Sequence, residues 1–389
     1  MAGCRDQLVA TVAGSRILAI GAAGSIGSST VLELARLGPK ALHVVDQNEN
    51  GLAELVRRFR SRPQELSLEE LRSLPLDYGS QAFRMFLRSV PSYDLVLNFA
   101  ALKHVRSEKD PYSALQMLDT NVVKQARLLA WLGETGFRGR FFTVSTDKAA
   151  NPSSMMGATK RLMEHVLFTS TAARDLACTK TSARFANVAF SNGSLLQSFE
   201  SRLARGEPLA VPRDTRRYFV SLEESGQICT LAACVAPDRS IVIPKLDPRR
   251  HLVPLEQIAR RFLEAHGHEP EIHTDEVAAC SAVAEARSRG AWPLLLTPLD
   301  TAGEKPYEEF ATASEQVFEF GMRELAAVRY LPAPQEAVDG AIERAAELLR
   351  LDSEPSPLDK DVVKSIIASV EPDFLRTHRE SAKSLDERL

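Results

Sequence analysis

The sequence has little of several features that would place it in a specialised class of protein. Its 5 cysteines are odd in number, scattered and without paired spacing. This pattern argues against a disulfide framework or a zinc site and fits a reducing compartment. No stretch approaches the roughly 20 apolar residues of a membrane span. The N-terminal segment MAGCRDQLVATVAGSR is too weakly apolar for a signal peptide. We therefore expect a cytoplasmic protein without membrane contact.

An excess of charge of one sign is also absent. The chain has 48 Lys and Arg against 51 Asp and Glu, a formal net charge of −3, and no long basic run. A nucleic acid or an anionic membrane therefore has no electrostatic support as a partner. Apolar residues make up 44% of the chain, as in ordinary globular proteins. The length of 389 residues predicts one large domain or two fused ones.

Short apolar runs alternate with helically periodic stretches over the first half of the chain. The apolar runs cover residues 16–20, 41–46, 73–77, 94–100, 140–145 and 182–188. The periodic stretches lie near residues 25–37, 49–60, 79–89, 112–135 and 153–172. Continuous apolar strands with intervening helices predict an α/β fold, a doubly wound parallel sheet covered on both faces. Such sheets bind ligands at the carboxyl ends of their strands.

A glycine-rich turn follows the first apolar run. The segment RILAIGAAGSIGSSTVLELARLG places Gly21, Gly24 and Gly27 between a strand and a helix. Glycines permit a tight turn and a close approach of the backbone to a pyrophosphate, which the helix N-terminus stabilises. We assign Ser25 and Ile26 to the same cofactor-binding loop. The strand–turn–helix context predicts a Rossmann dinucleotide-binding domain.

Residues at the ends of the next runs complete the predicted cofactor site. Asp46 ends the second run, where a carboxylate accepts hydrogen bonds from the adenosine ribose and repels a 2′-phosphate, which favours NAD over NADP. Asp46 could instead cap the next helix, although Asn48 could fill that role. Asp77 and Tyr78 end the weak third run. These residues could contact the adenine of the cofactor, or they could form a simple surface turn. Ala100 ends the fourth run and is assigned to the cofactor site.

The rhythm of strands and helices loosens after residue 186, which suggests three regions. Residues 1–186 form the NAD-binding Rossmann domain, and 187–330 form a smaller substrate-binding region that could return strands to the sheet. Residues 331–389 form a helical C-terminal tail, in which 335–351 is amphipathic at helical spacing.

Five segments of the chain carry a resemblance to a known family. They read NFAALKHV (98–105), STDKAANPSSMMGATKR (145–161), ARFANVAFSNGS (183–194), RRYFVSLEES (216–225) and GEKPYEEF (303–310). In this order they resemble the polysaccharide-biosynthesis branch of the extended short-chain dehydrogenases/reductases, which contains the UDP-N-acetylglucosamine 4,6-dehydratases. The resemblance implies an NAD-dependent lyase of the short soluble type that acts on a nucleotide sugar. It also implies a homo-oligomer, since this fold often pairs its long helices.

The resemblance casts Thr146, Asp147 and Lys148 as a catalytic segment, with Asp147 as the acid at C6 of the sugar and Lys148 as the base at C5. Asp147 must be protonated and Lys148 neutral when they act, and burial favours both neutral forms. The alternative is a surface Asp–Lys pair that caps a helix. Because neighbours on a regular strand point to opposite faces, we expect the chain to leave the strand here.

One position departs from the pattern of most short-chain dehydrogenases, which is Tyr-x-x-x-Lys. Here the lysine is Lys160, and Met156 stands where the tyrosine would be. A thioether cannot relay a proton. The base for the C4 hydroxyl therefore stays open among Thr146, Asp147 and a water held by Lys160. Lys160 is also expected to contact the nicotinamide ribose.

The remaining expectations concern the substrate and the rival functions. Substrate-binding residues are implied by the resemblance and by positions after strands, namely Lys103, His104, Asn187, Ser194, Arg217, Glu304 and Lys305. Arg217 is the expected partner of the diphosphate, because a guanidinium fork suits phosphate oxygens. No metal is expected, since the histidines at 266–268 lack a ligand motif. A nucleotide-sugar epimerase, an enzyme that stops at a 5,6-alkene, and a non-catalytic regulator are the alternatives.

Overall fold

The computed structural model describes residues 4–62, 64, 66, 68–103, 108, 110–299, 305–350 and 358–379. The strands are β1 (Arg16–Ile20), β2 (Ala41–Val45), β3 (Glu70–Leu74), β4 (Leu95–Asn98), β5 (Arg140–Val144), β6 (Thr179–Ala183), β7 (Asn187–Val188), β8 (Leu209–Pro212), β9 (Arg216–Arg217), β10 (Phe219–Val220), β11 (Ser240–Pro244), β12 (Val253–Pro254), β13 (Glu269–His273), β14 (Ala291–Thr297), β15 (Val317–Phe318) and β16 (Leu325–Arg329).

The helices connect these strands and continue into the C-terminal tail. They are α1 (Arg5–Val12), α2 (Ser25–Ala35), α3 (Glu49–Arg60), α4 (Gln81–Ser89), α5 (Pro111–Leu118), α6 (Lys124–Glu134), α7 (Met155–Thr169), α8 (Thr171–Asp175), α9 (Leu195–Arg205), α10 (Leu222–Cys234), α11 (Pro248–His251), α12 (Leu255–Ala265), α13 (Glu276–Ser288), α14 (Gln335–Leu348), α15 (Lys360–Ala368) and α16 (Phe374–Thr377). A π-helical turn (Asp119–Val123) joins α5 to α6, and a 3₁₀ turn (Asp147–Ala149) follows β5.

A nine-stranded sheet organises the molecule. Its strand order is β15-β16-β11-β6-β5-β4-β1-β2-β3. The seven strands from β11 to β3 are parallel, while β16 and β15 are antiparallel additions at one edge. The central order β3-β2-β1-β4-β5-β6 is that of a doubly wound dinucleotide-binding sheet. Buried hydrophobic clusters cover both faces of the sheet, so the α/β prediction is confirmed.

Two of the predicted strands differ from the observed ones. The third strand was expected at 73–77 but spans Glu70–Leu74, so that prediction is wrong. This strand lies at the edge of the sheet and is only half buried, so it does not need an apolar run. Pro75 follows this strand and lacks the backbone N–H that the hydrogen-bond ladder of a sheet requires, so the strand ends there. The run 182–188 is also two strands, since β7 leaves the main sheet and pairs with β10.

The chain after β6 contributes strands to the main sheet and to smaller sheets. It supplies β11, β16 and β15 to the main sheet, and it also forms a small parallel sheet in the order β13-β14-β8. This small sheet has a hydrophobic cluster of its own, in which Phe199, Phe262 and Trp292 are buried. The division of the chain at residues 186 and 330 stays a prediction.

The C-terminal helices cover α7. Every residue of α7 is buried within this chain, and α14 and α15 pack against it. The tail is also fixed by hydrogen bonds. The Arg379 N–H donates to the Ser153 carbonyl at 3.1 Å and the Thr377 hydroxyl to the Pro152 carbonyl at 2.8 Å. A homo-oligomer stays a prediction. The expectation that long helices pair between subunits does not suit α7, because α14 and α15 of the same chain cover it. Among the described helices, none has the length and apolar character to cross a membrane.

Candidate active site

A cavity of about 570 Å³ opens at the carboxyl ends of the central strands. The glycine turn after β1, Phe99 after β4 and Val144–Thr146 after β5 line it from the sheet. Residues after β7, strand β8 and Arg217 line it from the opposite side. This is the position at which doubly wound sheets bind their ligands.

The glycine turn is shaped by close backbone contacts. Gly21 has φ +72°, and a Cβ atom there would lie 2.5 Å from the backbone nitrogen of Ala100. A Cβ atom on Gly27 would lie 2.4 Å from the carbonyl oxygen of Gly21. Gly24 is the N-cap of α2, whose first residues Ser25 and Ile26 line the cavity. The turn therefore presents bare backbone and a helix N-terminus to the cavity, which fits the pyrophosphate of a dinucleotide.

Asp46 is anchored beside this turn. Its carboxylate accepts hydrogen bonds from the backbone N–H of Ala23 at 3.0 Å and of Asn48 at 2.9 Å. The N-cap of α3 is Asn48, whose side chain accepts from the Gly51 N–H at 2.9 Å. Asn48 thus fills the capping role that was an alternative for Asp46. The predicted contact of Asp46 with a ribose stays a prediction.

The other predicted adenine-side residues do not line this cavity. Asp77 lies beyond the end of β3 and forms an ion pair with Lys124 at 2.7 Å. Tyr78 is buried, and its hydroxyl donates to the Thr120 carbonyl. Burial raises the pKa of Tyr78 well above its usual range. The Ala100 N–H donates to the Asn98 side chain at 3.1 Å. Their contacts with a cofactor stay predictions.

The Thr146–Asp147–Lys148 segment leaves β5 and turns at the cavity wall. Thr146 is extended and caps the 3₁₀ turn, so the chain bends where the sequence required it. The Thr146 hydroxyl donates to Asp147 Oδ1 at 2.8 Å, and the Lys148 N–H donates to the same oxygen at 2.9 Å. Lys148 Nζ lies 3.3 Å from Asp147 Oδ1. Thr146 and Lys148 line the cavity and the Asp147 side chain is 4% exposed, so this is not a surface pair.

Lys148 also faces a residue that the sequence analysis did not single out. Glu308 Oε1 lies 3.8 Å from Lys148 Nζ, and the Glu308 side chain is 4% exposed. Burial raises the pKa of Glu308 above its ordinary value. Glu308 belongs to the GEKPYEEF segment that carries the family resemblance, so the sequence could have indicated it. Glu304 and Lys305 of that segment were predicted to bind the substrate instead. Lys305 donates to the Asn151 carbonyl and does not line the cavity, while Glu304 lies outside the described residues.

Lys160 and Met156 line the cavity next to the end of β5. Lys160 Nζ donates to the Val144 carbonyl at 2.7 Å and lies 3.1 Å from the sulfur of Met163. Burial lowers the pKa of Lys160 to about 7. Its amine is therefore partly neutral near physiological pH, because desolvation disfavours the charged form.

Four of the predicted substrate residues meet in the cavity, namely Lys103, Asn187, Ser194 and Arg217. Lys103 Nζ donates to the Asn192 carbonyl at 2.8 Å, and Arg217 Nη1 donates to the Lys305 carbonyl at 3.0 Å. Ser194 caps α9. His104 lies outside the described residues. No group of His, Cys, Asp or Glu within the described ranges is arranged to hold a metal ion.

One side of α9 also lines the cavity and was not predicted from the sequence. Leu195, Ser198 and Arg202 line the cavity together. Their i, i+3, i+7 spacing places them on one side of a helix, and this periodicity was the signal that could have found them. Arg202 brings a second guanidinium to the same cavity as Arg217.

The chain is similar in sequence to known proteins. The profile of a family described as polysaccharide biosynthesis protein matches residues 17–328. The uncharacterized membrane protein MJ1061 of Methanocaldococcus jannaschii is 31% identical over 258 residues, which cover 66% of this chain and 74% of that protein. A UDP-N-acetylglucosamine 4,6-dehydratase (inverting) of Campylobacter jejuni is 29% identical over 218 residues, 54% of this chain and 61% of that enzyme. Relatives from Bacillus subtilis and Staphylococcus aureus are covered over only 52% and 37% of their own length.

Solved structures share the fold. Pen from Bacillus thuringiensis matches with a TM-score of 0.65 at 21% identity, over 82% of this chain and 87% of Pen. The enzyme WbmF of Bordetella bronchiseptica, in complex with NAD+ and UDP, matches with a TM-score of 0.53 at 17% identity, over 66% of this chain and 78% of WbmF. These likenesses show a common doubly wound architecture.

Proposed function

We propose a function for this chain from one established premise: it belongs to the polysaccharide biosynthesis protein family. The chain acts as an NAD-dependent nucleotide-sugar 4,6-dehydratase, a lyase that converts UDP-N-acetylglucosamine or a related nucleotide hexose to the 4-keto-6-deoxy sugar. The observation that carries this proposal is the Thr146–Asp147–Lys148 turn. In this turn Lys148 lines a cavity that the glycine turn also lines, and the buried Asp147 carboxyl group lies 3.3 Å from its amine, which supports an acid and a base acting together.

NAD is the cofactor that best fits the glycine turn. A Cβ atom at Gly21 would clash with the backbone of Ala100 and one at Gly27 with the carbonyl oxygen of Gly21, so only glycine at both positions keeps the tight turn that lets a pyrophosphate approach the backbone. The anchored carboxylate of Asp46 suits a ribose hydroxyl and disfavours a 2′-phosphate. When bound, NAD supplies the oxidation at C4 of the sugar and the reduction at C6. WbmF, which shares the fold, binds NAD+ and UDP.

We assign the general acid to Asp147 and the general base to Lys148. A ketone at C4 acidifies the C5 proton, which Lys148 removes, while Asp147 gives its proton to the C6 hydroxyl as water leaves. The Thr146 hydroxyl, bonded to Asp147 at 2.8 Å, fixes the orientation of that carboxyl group. Because Met156 cannot take a proton, we place the C4 hydroxyl proton on the Thr146–Asp147 pair. The proton that Asp147 gains from C4 is then the one it gives up at C6, so the protons balance.

Substrate binding is assigned to the opposite wall. Arg217 and Arg202 bring two guanidinium groups to the cavity, a combination suited to the diphosphate of a nucleotide sugar. Lys103, Asn187 and Ser194 line the same cavity and are assigned further polar contacts with the substrate. Lys305 holds the neighbouring loop through Asn151.

A panel of nucleotide sugars tests this function. We expect UDP-N-acetylglucosamine to lose one water by mass spectrometry and to show a C6 methyl group by NMR. Lys148→Ala should retain NAD binding and abolish product, because it removes the base that we assign to C5. Lys245→Ala, which alters an ion-paired lysine away from the cavity, is the matched control and should be unaffected. Near-normal turnover by Lys148→Ala would remove Lys148 from the mechanism.

The same panel separates the alternatives. An epimerase would return a sugar of unchanged mass with inverted C4, and an enzyme that stops at a 5,6-alkene would lose water without forming a methyl group. An epimerase needs a C4 base but no acid–base pair for the loss of water, so the pairing of Lys148 with the buried Asp147 favours dehydration.

A further inference from the structure

We propose that Glu308 is a positioning residue for Lys148, whose buried carboxylate stabilises the ammonium group that forms when Lys148 takes the C5 proton. This inference rests on the proposed function and deepens it. It assigns a role to a carboxylate that lies outside the Thr146–Asp147–Lys148 segment, on the loop that follows residue 305.

The geometry places Glu308 as a countercharge to the base. Glu308 Oε1 is 3.8 Å from Lys148 Nζ, and its side chain is 4% exposed. Its Oε2 atom is buried without a hydrogen-bond partner among the described residues. An unsatisfied buried carboxylate oxygen is unfavourable for stability. A native protein retains such a group where it serves another purpose.

The other charges around Glu308 are engaged elsewhere. Lys305 Nζ lies 3.9 Å from Glu308 Oε2 but donates to the Asn151 carbonyl. Arg217 donates to the carbonyl oxygens of Lys305 and Pro306, so it fixes the loop backbone. Asp147 is the second carboxylate that acts on Glu308. Within the described part of the chain, Lys148 is therefore the cation that lies within 4 Å of Glu308 and also lines the cavity.

The reaction explains why two carboxylates face one lysine. When Lys148 removes the C5 proton, the C–H bond breaks, an N–H bond forms and the electron pair is held as the enolate of the C4 ketone. The enolate then forms the C5–C6 double bond as the C6–O bond breaks, and the hydroxyl leaves as water with a proton from Asp147. At this point Asp147 already holds the proton gained from the C4 hydroxyl, so it offers no negative charge to the growing ammonium. Glu308 supplies that charge, and opposite charges at this separation attract strongly in a buried site.

The first test needs no substrate. Glu308→Gln removes the charge and keeps the shape, Glu308→Asp keeps the charge, and Glu309→Gln is the matched control on the exposed neighbour, which pairs with Asn151 at 2.8 Å. The rate at which an acylating reagent modifies Lys148, followed by mass spectrometry against pH, reports how readily its amine becomes neutral. We expect about tenfold faster modification at neutral pH in Glu308→Gln, an intermediate effect in Glu308→Asp and none in Glu309→Gln.

The second test follows catalysis. On the alkaline side of the pH profile, where Lys148 is neutral in every variant, we expect turnover and the exchange of C5 hydrogen in heavy water to fall by up to about tenfold in Glu308→Gln, because the base is weaker. The acidic limb of the pH profile should also move to lower pH, while Glu308→Asp restores part of both. A modification profile of Lys148 that is the same in Glu308→Gln and the unmodified protein would overturn the inference. A shifted profile in a protein that dehydrates no nucleotide sugar would uphold the Glu308–Lys148 coupling and reject the proposed function.

Discussion

Gly21 determines the shape of the turn that follows β1. Its positive φ and the 2.5 Å approach of a Cβ atom to the Ala100 nitrogen leave room only for glycine. The sequence predicted this position because a strand, a glycine turn and a helix occur in succession. The requirement is therefore local, and local requirements are the ones that a single sequence displays.

Gly21→Ala should abolish NAD binding while the protein stays folded, because the turn must shift into the space of the pyrophosphate. Isothermal titration with NAD measures this directly. Gly14→Ala is the matched control, since Gly14 has a similar φ of +70° and nothing within 4 Å of the added atom. The control should lose about 1–2 kcal/mol of stability from backbone strain and bind NAD normally. Normal binding by Gly21→Ala would contradict our account of the turn.

The residues that sequence analysis missed share a different property. Glu308 reaches Lys148 from a loop, and Arg202 reaches the cavity from a helix, and both are distant in sequence from the glycine turn and from Lys148. Their role depends on where the chain returns in space, which residue spacing does not reveal. Asp77 and Tyr78 show the converse, because a position near a strand end did not bring them to the cavity wall.

At the scale of elements, most strands and helices were predictable because they are buried and periodic. The long helix expected at 112–135 is divided by the π-helical turn Asp119–Val123, which hydrophobic periodicity does not detect. Strand β3 was displaced because an edge strand is under little demand for apolar side chains. The elements that failed are thus those with the least burial or with an irregular backbone.

The docking of the tail on α7 can be tested at one side chain. Phe374 in α16 is 1% exposed, whereas its neighbour Leu375 is 59% exposed. Phe374→Ala should weaken the docking by about 3–5 kcal/mol, because a buried ring is replaced by a cavity. Leu375→Ala should change it by about 0.5 kcal/mol or less. Hydrogen exchange of the α15 amides measures the difference, and equal protection in both variants would show that the tail is not held by Phe374.

At the scale of the whole molecule, a buried ion network joins the site to the tail. Arg184 pairs with Glu164 at 2.6 Å and with Glu315 at 2.7 Å, and Ser145 at the cavity wall donates to Glu164 at 2.6 Å. Arg161 links the same network to Glu371 before α16. Burial raises the pKa of Glu315, but hydrogen bonds from Arg184 outweigh this effect and hold the pKa at about 2. The network is composed of long-range contacts, so it was not predictable from the sequence.

In the proposed reaction the oxidised C4 and the reduced C6 belong to the same sugar. The most direct test is to supply UDP-N-acetylglucosamine that carries deuterium at C4. The account predicts a product with deuterium in its C6 methyl group and with a C5 hydrogen taken from the solvent, both visible by NMR. Deuterium that stays on C4 of an epimerised sugar, or that is lost from the sugar altogether, would contradict the 4,6-dehydratase mechanism.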